Sequence, residues 1–469
     1  DAIRADIEAQ LAPAGKSYEH SQVLTAILDG LAEIDFHAIA DIDPTKPVPL
    51  KTQIVLTVAE VLGAAREMDC GLCRNAAFLY TFNGESWQLL DRDQLERFLG
   101  EAADRLGMNW IDSRHFETRM KLGKQFLSDA YLPAPKRNGD AVLINLKNGT
   151  AELSRAGFRL RDFDRRDFLT YQLPFAYDNT AGCQKWQNFL DEVLPDADRS
   201  RQKVLAEFVG YVFARHLKLE KCLILFGSGA NGKSVCFDVI NAMLGPENVA
   251  NVSLESLSRS EYHRATLANK LLNYSSEIST RLQAEKFKQL TSGEPIEARL
   301  PYGQPMTLTN YARLAFNSNE LPRDVEHSEA FFRRFLIVPF DVTIPESKRN
   351  PTLANEIIAS EMPGVFNWVL EGLNRLLQQK GFTSSPAVDA ALEMFRRESD
   401  SVAMFVGDEG FMRSETNSIY LKVLYPEYRD YCQINGLKAC GSKTMIKRLE
   451  ALGFVCDKGS GGKRIYGTK

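Results

Sequence analysis

Apolar and polar positions along the 469-residue chain change period several times, and each change marks an element or a border. Residues 1 to about 140 carry amphipathic helical patterns interrupted by one alternating stretch, 77–90, where Asn83-Gly84 separates two strand-like runs and predicts a hairpin. Helical spacing returns from Leu95 to Leu106. Residues 133–140 are a polar break rich in proline, and after it 142–146 and the turn at Asn148-Gly149 predict a short strand pair. Between 189 and 219, Leu205, Phe208, Val209, Val212 and Phe213 predict a buried helical layer. Residues 221 to about 345 alternate strands and helices in the βαβ manner, which implies a mainly parallel sheet with ligands at the carboxyl ends of its strands. Helices follow over 352–380, and 383–386 reads as a connector. Near the C-terminus Met445, Ile446, Leu449 and Leu452 form one apolar helical stripe.

Length and composition narrow the class. A chain of this size exceeds one ordinary core, so several domains are expected, and 44% hydrophobic residues can fill them. A formal net charge of −4 argues against a protein coated with nucleic acid, so charge must be read region by region. The eight cysteines, at 70, 73, 183, 222, 236, 432, 440 and 456, are scattered through apolar segments, as suits reduced thiols in a cytoplasmic compartment. Cys70 and Cys73 have half the spacing of a zinc site with no second pair to complete it, so a turn between helix and strand is the expectation. No apolar run approaches the roughly 20 residues that span a bilayer, which predicts a soluble protein with no membrane partner. The chain starts at Asp1 rather than Met, which leaves room for an upstream domain.

One segment fixes a chemistry. The strand at 221–226 feeds Gly227, Ser228, Gly229, Ala230, Asn231, Gly232, Lys233 and Ser234, a G-x-x-x-x-G-K-S loop, and a helix follows from Val235 to its end at Gly245-Pro246. Backbone N–H groups in such a loop curl around phosphates, a lysine reaches the β- and γ-phosphates, and a hydroxyl coordinates Mg²⁺. ATP and magnesium are the expected ligands.

Hydrolysis needs a carboxylate, a γ-phosphate sensor and a cation beyond the cradle. The strand 271–277 ends in Glu277, 44 positions after Lys233; a second strand from Tyr311 ends at Asn319; and Arg333 and Arg334 stand just before a third. With Asn273-Tyr-Ser-Ser-Glu277, Lys288-Gln-Leu-Thr-Ser-Gly-Glu-Pro-Ile296, Asn317-Ser-Asn-Glu-Leu-Pro322 and Phe331-Phe-Arg-Arg-Phe335, this order resembles the superfamily 3 helicase domain of the phage/plasmid primase-helicase family, with its poxvirus-type relatives. Asn145-Leu-Lys-Asn-Gly149 and Tyr171-Gln-Leu-Pro-Phe-Ala-Tyr177 resemble the helical domain that precedes the ATPase there, and the likeness extends over about 145–470.

The resemblance implies an AAA+-like parallel-sheet core and a homo-oligomeric, hexameric ring. It implies that Lys233 and Ser234 bind phosphate and magnesium, that Glu277 is the Walker B acid and a magnesium ligand, that Asn319 is the sensor, and that Arg333 or Arg334 is an arginine finger acting on a neighbour's ATP. One departure is visible: Ser276 stands where many of these helicases have a first acid, so Glu277 serves as base with the direct metal ligand left open.

Segment 294–304 falls where this superfamily carries a pore-facing hairpin. Lys286, Lys288 and Arg299 could meet phosphates and Tyr302 could stack on a base, against the plainer alternative of a solvated surface hairpin. Residues 436–469 hold eight cations, Lys443, Lys447, Arg448, Lys463 and Arg464 among them, against Glu450 and Asp457. Helix, helix, strand, glycine-rich basic loop and strand predict a winged helix that contacts nucleic acid. The expected division is 1–140, an α+β region; 141–220, a helical domain; 221–345, the ATPase core; 346–400, helices and a connector; and 401–469, the winged helix.

Single-stranded and forked DNA are the expected partners of a replicative helicase. A nucleotide-switched replication initiator without processive unwinding is the alternative, and a small-molecule kinase fits the paired arginines poorly. Asp41-Ile-Asp43 has the look of a metal-binding aspartate pair, but too little chain precedes it for a polymerase palm, so a primase is expected upstream.

Overall fold

The computed structural model describes residues 17–132, 141–276, 278, 283–301, 303–322, 325–437, 439–459 and 461–468. Two compact units result, Asp1–Ala181 with Met243–Gly245, and Gly182–Ala242 with Pro246–Lys469. Among the described residues no helix is long and apolar enough to cross a membrane.

In the first unit, helices α1 (His20–Gly30), α2 (Leu50–Glu67), α3 (Arg92–Arg105) and α4 (Phe116–Asp129) enclose one core. Ile54, Val58, Val61, Leu62 and Ala65 repeat at helical spacing on α2 and meet Val23 and Ile27 of α1, Phe98 and Leu99 of α3, and Leu122 and Phe126 of α4. Strands β1 (Gly71–Asn75), β2 (Phe78–Phe82) and β3 (Trp87–Leu90) form an antiparallel meander. The predicted hairpin is present, with Phe82 opposite Trp87, so its loop has four residues rather than two. Asn83 closes that loop by accepting the N–H groups of Glu85 and Ser86 at 2.9 and 2.8 Å. Cys70 and Cys73 are both buried at the start of this sheet, and burial pushes the Cys70 thiol up to about 11. A second meander, β4 (Val142–Leu146), β5 (Gly149–Ser154) and β6 (Gly157–Arg161), completes the unit.

The second unit opens with α5 (Gln184–Val193) and α6 (Ser200–Tyr211), followed by β7 (Cys222–Phe226), α7 (Lys233–Leu244), β8 (Val249–Ala250) and β9 (Leu272–Ser275). Helix α8 (Ala284–Ser292), strands β10 (Ile296–Arg299), β11 (Pro305–Leu308), β12 (Arg313–Ser318) and β13 (Phe335–Pro339), and helices α9 (Met362–Gln379) and α10 (Pro386–Glu398) follow. Five strands make one all-parallel sheet in the order β13-β7-β12-β9-β8. The interior strand β7, between β13 and β12, reads Cys-Leu-Ile-Leu-Phe without a polar residue, as a strand covered on both faces requires. Helix α6 is buried along its whole length; its Glu207 receives the Arg375 guanidinium of α9 at 2.6 Å and the Thr383 N–H at 2.7 Å.

The segment expected as one helical domain over 141–220 is split between the units. Its first part is β-sheet, whereas α5 and α6 bury their apolar faces in the second unit, so the border falls at 181/182.

The C-terminal part comprises α11 (Ser401–Asp408), β14 (Met412–Tyr420), α12 (Leu421–Ile434), α13 (Ser442–Ala451), β15 (Cys456–Gly459) and β16 (Gly462–Thr468). Its strands form an antiparallel sheet in the order β14-β16-β15, packed on Phe405, Leu424, Tyr428, Met445, Leu449 and Phe454.

Candidate functional site

Strand β7 ends at Phe226, level with Ser318 of β12 and Pro339 of β13, and the phosphate loop starts from that shared edge. Gly229 (φ 111°), Ala230 (φ 49°) and Gly232 (φ 87°) all have positive φ, the kind of backbone from which anion-cradling loops are built. Gly227 has room for no side chain: a Cβ there would stand 2.2 Å from Asn231 Nδ2 and 2.5 Å from the Phe340 carbonyl oxygen. Gly232 is pressed against Phe189 and Val193 of α5 in the same way.

Three hydrogen bonds to backbone carbonyls hold the loop. Gly227 donates its N–H to Ser318 O at 3.2 Å, Asn231 Nδ2 donates to Phe340 O at 3.0 Å, and the Ile344 N–H donates to Ala230 O at 2.8 Å. Lys233 donates through Nζ to Gly227 O at 2.6 Å and to Asn231 Oδ1 at 3.1 Å, and burial holds its ammonium below the usual lysine range. Ser228 and Ser234 are exposed, and Val235 is half-buried at the start of α7. A glycine loop with no room for a side chain at Gly227 or Gly232, with a lysine and an exposed hydroxyl at its helical end, has the donor set that a magnesium-bound triphosphate requires.

Asn319 is exposed and directly follows Ser318, so the sensor candidate sits beside the loop's base. Beneath it Asn317 of β12 donates to the hydroxyl of Tyr274 on β9, whose ionisation burial pushes up to about 12. Glu277 lies outside the described residues. An acid not singled out from the sequence, Asp238, follows Ser234 by one helical turn on α7, and desolvation raises its carboxyl. Its signal was available in the i, i+4 spacing.

The paired arginines lie at the other edge of the sheet. Phe335 is level with Cys222, so Arg333 and Arg334 flank the start of β7, about 13 Å from Phe226 at ~3.3 Å per residue. They differ sharply. Arg334 has 8% of its side chain exposed and donates through Nη2 to Ser292 Oγ at 2.9 Å, with a further bond to Ala330 O. Arg333 is 53% exposed and pairs with Glu220 at 2.5 Å.

The predicted hairpin at 294–304 exists as β10 and β11, with Ile296 opposite Leu308 and Arg299 opposite Pro305. Arg299 is turned back on it, donating to Gly303 O at 3.0 Å, and Tyr302 lies outside the described residues. Lys286 and Lys288 are on α8 rather than on the hairpin. Lys286 reaches Gln289 Oε1 at 3.3 Å, and Lys288 is held by Glu326 at 2.9 Å in a partly exposed ion pair.

Of the C-terminal cations, Lys443, Lys447 and Lys463 are exposed. Arg448 points inward instead, because Asp400 at the start of α11 binds it at 3.1 Å while also accepting the Val402 and Ala403 N–H groups. Arg464 is half-buried, and Asp457, its partner across β15 and β16, lies 3.6 Å away.

Comparison with known proteins places this geometry in context. Residues 69–195 match the family described as D5 N terminal like, and residues 225–334 match a family of unknown function (DUF5906). A protein of Acanthamoeba polyphaga mimivirus named "Putative helicase L207/L206" is 24% identical over 352 residues, 68% of this chain and 36% of that protein, so the chain spans about a third of its relative's length. Among solved structures, an apo A form of the NrS-1 C-terminal region has a TM-score of 0.46 at 14% identity, covering 85% of this chain and 95% of that one. A second apo structure of that region has a TM-score of 0.45 at 13% identity, covering 88% and 98%.

Proposed function

We propose, because the chain belongs to the phage and viral primase-helicase family, that it is the motor part of such a protein: an ATP-driven DNA helicase of the superfamily 3 type. The observation that carries the reading is the opposition of two features on one strand. The cradle leaves the carboxyl end of β7, and the exposed Arg333 flanks its amino end, about 13 Å away. An arginine so placed is out of reach of its own chain's cradle and is open to a neighbour's. Hydrolysis then depends on assembly, and a ring, hexameric as in the family, is the arrangement that gives every cradle a finger.

In this reading the loop N–H groups and Lys233 take the β- and γ-phosphates, Asn319 senses the terminal phosphate, and Glu277 activates water. Ser234 and Glu277 hold magnesium, which neutralises phosphate charge when bound. Arg333 rather than Arg334 is the finger, since Arg334 is committed to the interior. The order β13-β7-β12-β9-β8 supports an AAA+-like core, since it sets the sensor strand between the loop strand and the strand of the acid. The β10–β11 hairpin grips single-stranded DNA in the pore.

The C-terminal helices and sheet support a winged helix, with Lys443, Lys447 and Lys463 outward to meet forked DNA. A primase, in this reading, is supplied by a partner or a further part of the protein.

Arg333→Ala tests the claim: ATP turnover falls by about 10³-fold or more while nucleotide binding survives. Normal turnover overturns it. The single acid of the Ser275-Ser-Glu277 segment favours a second reading, a nucleotide-switched initiator. ATP-dependent DNA binding without strand displacement would select that one.

A further inference from the structure

The two residues that lead into the phosphate-loop strand, with its first residue, also hold the two residues that lead into its neighbour β13. Glu220 accepts a hydrogen bond from Arg333 Nη2 at 2.5 Å and stands 3.1 Å from Arg334 Nη2. Lys221 Nζ donates to the carbonyl oxygen of Arg333 at 2.5 Å, and the Cys222 N–H donates to Arg334 O at 2.8 Å. Arg333 is therefore gripped at both ends, by a carboxylate on its guanidinium and an ammonium on its backbone. Glu220 does this from left-handed backbone, at φ 54°, a conformation natural to glycine and strained for glutamate.

We propose that Glu220 is a positioning residue that fixes Arg333 for the neighbouring copy's ATP site, a deepening that rests on the finger reading above. A long exposed arginine samples many rotamers, and a catalytic cation must be held within a fraction of an ångström of its task. The Glu220 carboxylate is 28% exposed and shared with the buried Arg334, so it is itself anchored. It occupies Nη2 of Arg333, and among the described residues Nε and Nη1 have no partner, which leaves donors to face a phosphate. The same strand that carries the chain's own cradle thus sets the angle of the arginine offered to the next chain. The half-exposed pair with Arg333 adds little to stability, whereas losing the carboxylate beside the buried Arg334 lowers melting somewhat, so the role of Glu220 is read from turnover at a temperature where the assemblies stay folded.

Mixed assemblies test this. A Lys233→Ala chain has a native finger and a disabled cradle, and an Arg333→Ala chain has the reverse, so mixing them should restore ATP turnover that neither shows alone. Adding Glu220→Gln to the Lys233→Ala chain should cut the restored turnover by about tenfold or more. Glu220→Gly, which suits left-handed backbone, should do the same at a temperature well below the melting of either chain, with unchanged nucleotide affinity of the native cradle. Full restoration by both Glu220 variants overturns the positioning role. No restoration by the parent mixture removes the finger reading itself, and the role of Glu220 with it.

Discussion

Gly227→Ala isolates the steric demand of the cradle, because Gly227 has no left-handed backbone and alanine brings only a methyl group. That methyl would lie 2.2 Å from Asn231 Nδ2 and 2.5 Å from Phe340 O, distances that require a shift of roughly 1 Å somewhere in the loop. The shift breaks the Asn231–Phe340 bond, a loss of about 1 kcal/mol, and overpacking adds about 1–3 kcal/mol. A destabilisation of about 2–4 kcal/mol is therefore expected. Asn231 also holds Lys233, so the phosphate ligand moves with it and nucleotide affinity should drop by about tenfold or more. Urea unfolding followed by circular dichroism reads the first quantity, and titration with a fluorescent ATP analogue reads the second. Gly229→Ala is the control, since nothing lies within 4 Å of its Cβ and only its backbone is strained. An unchanged midpoint and an unchanged affinity for Gly227→Ala would refute the idea that this contact shapes the loop.

Three further outcomes are expected. Arg448→Ala should lower thermal stability by about 1–3 kcal/mol, since it strands the half-buried Asp400, yet leave the affinity for single strands unaltered; a large affinity loss would restore Arg448 to the basic face. His20 is held down to about 4 from 6.5 by burial, with nearby Glu85 opposing and Lys147 reinforcing, so between those values the unfolded chain binds the proton and the folded one does not. Stability of the first unit should thus fall as pH drops from about 6.5 to about 4, by at most about 1.4 kcal/mol per unit, and His20→Gln should remove that slope; an identical slope in the variant would exclude His20 as its source. DNA affinity should fall steeply with added salt, and neutralising Lys443, Lys447 and Lys463 together should reduce the log–log slope by about two; a slope unaffected by their loss would take them off the DNA.

What could be read in the sequence was what depends on neighbours along the chain. The strand-loop-helix of the phosphate site, the Asn83-Gly84 hairpin and the 294–304 hairpin are local arrangements, and glycine placement and alternation encode them directly. Pairings between distant residues were not readable. Lys288 and Arg448 looked free to meet phosphates, but Glu326 and Asp400, 38 and 48 positions away, capture them. Arg333 and Arg334 were equivalent as a dipeptide; one packs against Ser292 and the other stays at the surface only because β13 docks beside β7. The border at 181/182 depends on which core receives α5 and α6, a choice that no local pattern states.

The central claim is that triphosphate cleavage moves this protein along DNA. The direct measurement is displacement of a labelled strand from a forked duplex, followed together with ATP turnover in the wild type and in Lys233→Ala. The account predicts turnover that rises with single-stranded DNA and strand release that requires it, both absent in Lys233→Ala. An assembled wild type that binds the fork and nucleotide yet neither turns over ATP nor releases the strand would contradict it.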